Sequence, residues 1–261
     1  MNVAILQMQV ALGKPALNMD TLRKLAAQAM TAQPDVLLLP ELWLQGFYPR
    51  PLVDYADQEG AQARALLSGL AQKYQVNIVG GTVACAHNGQ IFNRCYIWDR
   101  QGRLITSYDK IHLFSPSGEH EDFTPGDSLV TFTIDDVKCG IIVCYDLRFP
   151  ELSRALALAD IQVLFIPAAW PAKRLHHWQT LLQARAIENQ FYMACVNQAG
   201  KSGDTEYAGE SLLLDPWGED ICHLEDDEDI AFGRVDTDVI HEVRSRINVF
   251  RDRRPDWDKV E

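Results

Sequence analysis

A chain of 261 residues, 47% hydrophobic and 23% charged, holds enough apolar material for a large core and lacks the bias of disordered or fibrous proteins. Its formal net charge of −12 argues against general binding to phosphate backbones or anionic lipid, so neither nucleic acid nor membrane is an expected partner. No apolar run approaches the roughly 18 residues that span a bilayer. The N-terminal MNVAILQMQVALG alternates apolar with polar residues and has no basic leader, so it reads as the first strand of a cytoplasmic protein.

In chain order, residues 3–10 read as a strand and 17–30 as a helix, with Asn18 as its cap and Leu22, Leu25, Ala26 and Ala29 along one face. Residues 35–40 (DVLLLP) form a short, wholly apolar strand. A helix over 59–74 leads into a strand over 76–84, and strands over 93–98 and 104–108 flank a turn at Arg100-Gln101-Gly102. Residues 112–128 read as irregular. Strands over 129–134 and 138–143, a helix over 150–159, a strand over 162–167 and a helix over 176–190 follow. Further strands cover 191–197, 210–214 and 229–235, and the acidic run 219–229 (EDICHLEDDED) reads as a solvated hairpin or turn. The tail from about 238 begins helical and ends rich in Arg, Asp and Pro.

No repeat or low-complexity linker interrupts this pattern, which predicts one α/β domain over 1–261 with helices covering sheet faces. Strands such as DVLLLP and GIIVC show no polar alternation and imply burial on both faces. The six cysteines, at 85, 95, 139, 144, 195 and 222, form no CxxC pair and suit buried, reduced thiols better than a disulfide framework or a zinc site. His112, His120, Glu121 and the pair His176-His177 have spacings that match no familiar metal-ligand pattern.

The most informative segment is 140–151, GIIVCYDLRFPE. A buried strand runs into Cys144, then a short polar turn, then Pro150-Glu151 opening a helix, proline suiting the first helical position. A thiol at such a junction lies at a sheet edge near free backbone N–H groups, which ease the formation of a thiolate. Position alone leaves two readings, nucleophile and core cysteine. Glu41 ends the strand DVLLLP, and Lys110 follows LITSYD in the same way. Each is either a functional charge or half of a structural salt bridge, because an isolated buried charge is expensive.

Taken together, PELW with Glu41, YDKIHLF with Lys110 and VCYDLRFPE with Cys144 resemble, in order, the three signatures of the nitrilase (carbon–nitrogen hydrolase) superfamily. The resemblance extends over nearly the whole chain, including residues 184–190 and the YAGES segment at 207–211. It implies a four-layer α-β-β-α sandwich that pairs into a homodimer. Candidate interface pieces are the helix at 150–159, the segment 176–190 and the tail. It also implies that Glu41 is the general base, Lys110 an oxyanion partner together with the backbone N–H of Tyr145, and Cys144 the nucleophile. No metal or organic cofactor is required. Glu119 in SGEHEDFTPGD stands at the spacing the family uses for a second glutamate, where it would restrain Lys110 or orient water; Glu121 is the competing residue.

CYDLRFPE resembles the omega-amidase branch, and AWPAKRLHHWQ the bacterial members of that group. The implied substrate is a small amide, the terminal amide of an acid such as 2-oxoglutaramate or 2-oxosuccinamate. Arg148, four residues after Cys144, either receives a substrate carboxylate or pairs with Glu151 or Asp146. Trp170, after another apolar strand, is expected as a pocket wall or a core aromatic. A carbamoylase, a deaminated-glutathione amidase and a nitrilase are alternatives on the same scaffold, and a binding module that keeps the fold is an alternative of a different class.

Overall fold

The computed structural model describes residues 1–257; residues 258–261 of the expected tail lie outside the described residues. Side-chain alternation in the first two strands sets the layers. In β1 (Asn2–Gln7), Val3 and Ile5 enter one core while Ala4 and Leu6 enter another. β2 (Val36–Leu38) repeats this with Val36 and Leu38 against Leu37.

Helices α1 (Pro15–Ala29) and α2 (Ala61–Tyr74) cover the second core with Leu22, Ala26, Leu67 and Leu70. Their sheet also holds β3 (Asp57–Gln58), β4 (Asn77–Val79), β5 (Val83–His87), β6 (Gln90–Trp98), β7 (Leu104–Asp109) and β16 (Asp229–Arg234). Its order is β16-β1-β2-β4-β6-β5-β3, with β7 paired to β6.

The other face of that sheet packs on a second one. This contains β8 (Val130–Ile134), β9 (Val137–Ile141), β10 (Val163–Ala168), β11 (Tyr192–Asn197), β14 (Leu212–Leu214) and β15 (Asp220–His223), in the order β15-β14-β11-β10-β9-β8. Every residue of β10 and β11 is buried, because the first sheet lies on one side and α4 (Pro150–Leu158) and α5 (Leu175–Asn189) on the other. The result is the four-layer α-β-β-α sandwich. A hairpin of β12 (Ala199–Ser202) and β13 (Thr205–Ala208) stands apart from both sheets, and α6 (Thr237–Arg246) and α7 (Val249–Asp252) follow β16.

Three expectations need correction. Asn18 does not cap α1, which opens on Pro15 at its first position. Asn18 is buried within the helix and clamps Ala11 N–H, Ala11 C=O and Leu44 C=O. The strand expected over 76–84 is two strands broken at Gly80-Gly81, and β6 lies between them in the sheet. Gly81 has φ +58°, and a Cβ there would sit 2.1 Å from the Pro40 carbonyl oxygen. Only glycine lets the chain pass so close to the segment entering Glu41. The stretch 112–128 contains a 3-10 turn (Ser115–Ser117) and the short helix α3 (Glu119–Asp122). The acidic run is a hairpin arm, as expected, with β15 inside it.

Candidate active site

Strand ends of both sheets bring their polar residues together. Glu41 follows β2 and is held from several sides. Its backbone N–H donates to Ala168 C=O, and the Glu41 C=O accepts from Gln198 Nε2 (2.7 Å). Lys110 follows β7 and donates its backbone N–H to Asn93 C=O (3.0 Å). Glu119 opens α3. All three side chains are 0% exposed.

Lys110 Nζ donates to Glu41 Oε1 (2.8 Å) and to both oxygens of Glu119 (3.1 and 2.9 Å). Asn93 Nδ2 bridges the carboxylates, reaching Glu41 Oε1 (2.8 Å) and Glu119 Oε1 (3.0 Å). Phe114 N–H donates to Glu119 Oε2 (2.6 Å), and Ala169 N–H to Glu41 Oε2 (2.9 Å). Glu121, by contrast, is exposed. Two carboxylates thus share one ammonium in a dry interior.

Burial raises the Glu41 pKa, with Lys110 opposing and Glu119 adding to the rise. Burial alone would depress Lys110, but the charges of Glu119, Glu41 and Cys144 carry its pKa well above the ordinary value.

Cys144 is 7% exposed and opens a 3-10 turn (Cys144–Arg148) in a left-handed conformation, φ +46°, that non-glycine residues seldom adopt. Asp146 holds the turn in place. Its Oδ2 accepts from Val143 N–H (3.0 Å) and Tyr108 O–H (2.8 Å), and its Oδ1 from His112 N–H (2.8 Å), with His112 Nδ1 at 2.9 Å. The imidazole stacks on Phe149 at 3.5 Å. Through Asp146, the end of the lysine strand and the cysteine turn form one unit.

Burial pushes the Cys144 thiol well above its usual pKa, and the Glu41 charge adds to this against the pull of Lys110. Burial thus favours the protonated thiol at rest. The Tyr145 N–H, in the first turn after Cys144, finds no acceptor among the described residues. Of the other cysteines, Cys85, Cys95, Cys139 and Cys195 have no exposed surface, and Cys222 is half-buried on β15.

Cys144 opens into a pocket of about 190 Å³, smaller than the roughly 300–1,000 Å³ of sites for drug-sized ligands. Tyr145, Arg148 and Trp170 line it, as do Arg174 and Tyr207. Trp170 is 2% exposed, so it is at once core and wall. Arg148 pairs with neither Glu151 nor Asp146. Its guanidinium lies over the Trp170 ring (4.6 Å), with both terminal nitrogens 3.3 Å from His177 Nδ1.

Of the site residues expected from the sequence, Cys144, Tyr145, Arg148 and Trp170 line this pocket, and Glu41, Lys110 and Glu119 form the buried cluster in contact with Cys144. Sequence reasoning passed over Asn93, Asp146, the Ala169 N–H and Arg174. Asp146 left a readable trace, a carboxylate two residues after the cysteine in a turn that opens a helix. Asn93 left none, because its partners are distant in the chain.

A thiol, a carboxylate and an ammonium thus meet at the ends of a double sheet. The chain belongs to the carbon-nitrogen hydrolase family, whose model matches residues 2–245. It is 40% identical to a 2-oxoglutaramate amidase of Bacillus subtilis, over 97% of this chain and 98% of that protein. It is 29% identical to an omega-amidase of Homo sapiens, over 99% and 97%. Among solved structures, a CN-hydrolase superfamily protein of Xanthomonas campestris with an arsenic adduct in its active site superposes with a TM-score of 0.92 at 28% identity, covering 97% of each chain. The protein is a hydrolase of carbon–nitrogen bonds other than peptide bonds, in the omega-amidase-like branch that its motifs suggested.

Proposed function

We propose that the protein hydrolyses the terminal amide of a small carboxylic acid monoamide, with 2-oxoglutaramate and 2-oxosuccinamate as leading substrates, to the acid and ammonia. The observation that carries this reading is the small pocket over Cys144, whose lining includes Arg148, Lys173 and Arg174 and no carboxylate, in a chain of net charge −12. A cationic mouth on an acidic protein suits an anionic substrate. The 2-oxoglutaramate amidase and omega-amidase relatives agree with it.

In this mechanism Glu41 takes the thiol proton as Cys144 sulfur attacks the amide carbon. Counted together with the thiol, the two carboxylates and the ammonium carry a charge of −1 before the transfer and, with the carboxylate neutralised and the sulfur charged, −1 after it, so the proton moves within the site with no change in net buried charge. Negative charge developing on the amide oxygen is met by Lys110 and the Tyr145 N–H. Glu41 returns the proton to nitrogen, the carbon–nitrogen bond breaks, and ammonia leaves a thioester on Cys144. Water then attacks the thioester, giving a proton to Glu41, and collapse releases the acid and restores the thiol. Glu119, with both oxygens engaged, restrains Lys110. Arg148 receives the substrate carboxylate and Trp170 forms the wall behind it. No cofactor enters any step.

We also infer a single domain and a homodimer formed through the α4–α5 layer, where Leu158 and Ile187 are about half exposed and Ile247 nearby is similarly open. Sedimentation would test the dimer. Free cysteines buried in the core suit the reducing cytoplasm; among the described residues no helix is long and apolar enough to cross a membrane.

Ammonia release from 2-oxoglutaramate, 2-oxosuccinamate, an aliphatic amide, an N-carbamoyl amino acid and a nitrile tests the reading. Turnover of the 2-oxo acid amides, lost in Cys144→Ala, is the expected result. Turnover confined to the carbamoyl compound or the nitrile would overturn the substrate while leaving Cys144 as nucleophile.

A further inference from the structure

We infer that Arg174 is a second carboxylate-binding residue, so that the acid end of the substrate is gripped between two guanidinium groups. This rests on the amidase reading above and deepens it by assigning specificity to a residue outside the catalytic cluster.

Arg174 and Arg148 come from different segments and are organised by the same aromatic residue. Trp170 carries the Arg148 guanidinium on its ring face, and its indole Nε1–H donates to the Arg174 carbonyl oxygen (2.9 Å). The Trp170 backbone is itself fixed by Asn197, which accepts from Trp170 N–H (2.6 Å) and donates to its C=O (3.1 Å). The Arg174 side chain crosses to the segment after β7, where its guanidinium lies 5.0 Å from the centre of the Phe114 ring. Both guanidiniums therefore rest on aromatic rings, and a guanidinium held in this way keeps its N–H edge for a planar anion.

Both arginines line the pocket, and neither forms an ion pair with a carboxylate among the described residues. The arrangement is unfavourable without a guest: Arg148 is shifted below its usual pKa, first by burial and then by the positive charge of Arg174. Two like charges kept together with no counter-ion are relieved when a carboxylate enters. The substrate class is thus an amide with a carboxylate at the far end of a short chain, and uncharged amides of the same length lose this grip.

The test compares wild type, Arg174→Ala and Arg174→Lys on 2-oxosuccinamate and on uncharged butanamide. A charge-assisted contact predicts that Arg174→Ala raises KM for 2-oxosuccinamate about 10–100-fold with kcat little changed. The same variant should leave butanamide kinetics unaltered, and Arg174→Lys should recover part of the loss. Equal losses on both amides would mean that Arg174 only supports the fold, and an unchanged KM for 2-oxosuccinamate would also overturn the proposal. If wild type releases ammonia from neither amide, the amidase reading fails, and succinate then tests the clamp alone. Succinate should raise the melting temperature of wild type and not that of Arg174→Ala, and an equal rise in both would remove Arg174 from the site.

Discussion

Glu41, Lys110 and Glu119 have no exposed surface and direct their hydrogen bonds at one another. Arg148 and Arg174, lining the pocket above Cys144, rest on aromatic rings and have no carboxylate partner among the described residues. Every charge of the interior cluster has a partner within it before a ligand arrives, the preorganisation that the proposed chemistry needs. The mouth is complete only when an anion supplies the missing charge. Chemistry and specificity are therefore separable here, and substitutions in the two regions should fail in different ways.

The largest expected effect is at the thiol. Cys144→Ala should lower kcat roughly 10⁴-fold or more while the protein still melts cooperatively; retained ammonia release would dismiss Cys144 as nucleophile. Glu119→Gln comes next. It leaves the shape but weakens the hold on Lys110, and a misplaced ammonium should reduce kcat by about 10²-fold. Because it disturbs a buried ion cluster, the melting temperature should fall too. Asp146→Asn turns an acceptor of four bonds into a group with an N–H pointing at donors, losing about 1–3 kcal/mol of stability together with activity. At the mouth, Arg148→Ala should raise KM for 2-oxosuccinamate about 10-fold or more with little change in kcat. A kcat loss at the mouth equal to that in the cluster would erase the distinction between the regions.

The two regions were also unequally legible in the sequence. Glu41 and Cys144 each follow an apolar strand and Lys110 follows a mixed one, so their places at strand ends were visible to periodicity, while their roles came from the family resemblance. Glu119 needed the family spacing, because four residues of helix carry no periodic signal. Burial of the central strands on both faces followed from their unbroken apolar runs and the four layers from the family resemblance, but the break at Gly80-Gly81 followed from neither. It is dictated by the passage of the chain past Pro40, a contact between segments far apart in sequence. Asn18 misled for a related reason: a polar residue near a helix start resembles a cap until the loop that it clamps is known. Arg174 was invisible because its meaning comes from Phe114 and Arg148, which only the fold brings near it.

The smallest effect separates burial from local charge as the reason thiols here resist ionisation. Cys139 is fully buried, and burial pushes its pKa up to about 12. A thiol whose folded pKa is raised contributes its full stability below the unfolded value near 9 and loses it as pH rises towards the folded one. Between pH 9 and 11 the unfolded chain gives up the Cys139 proton while the native protein keeps it, so unfolding becomes easier by up to ~1.4 kcal/mol per pH unit from this one group. Cys139→Ala should therefore flatten the fall of unfolding free energy over that range, measured by denaturant titration at several pH values. Arg148→Ala, at the mouth, should leave the slope as it is. Parallel slopes for wild type and Cys139→Ala would mean that this thiol ionises as readily folded as unfolded. Burial would then fail as the main cause, and the same doubt would reach Cys144, where Glu41 would have to supply the whole effect.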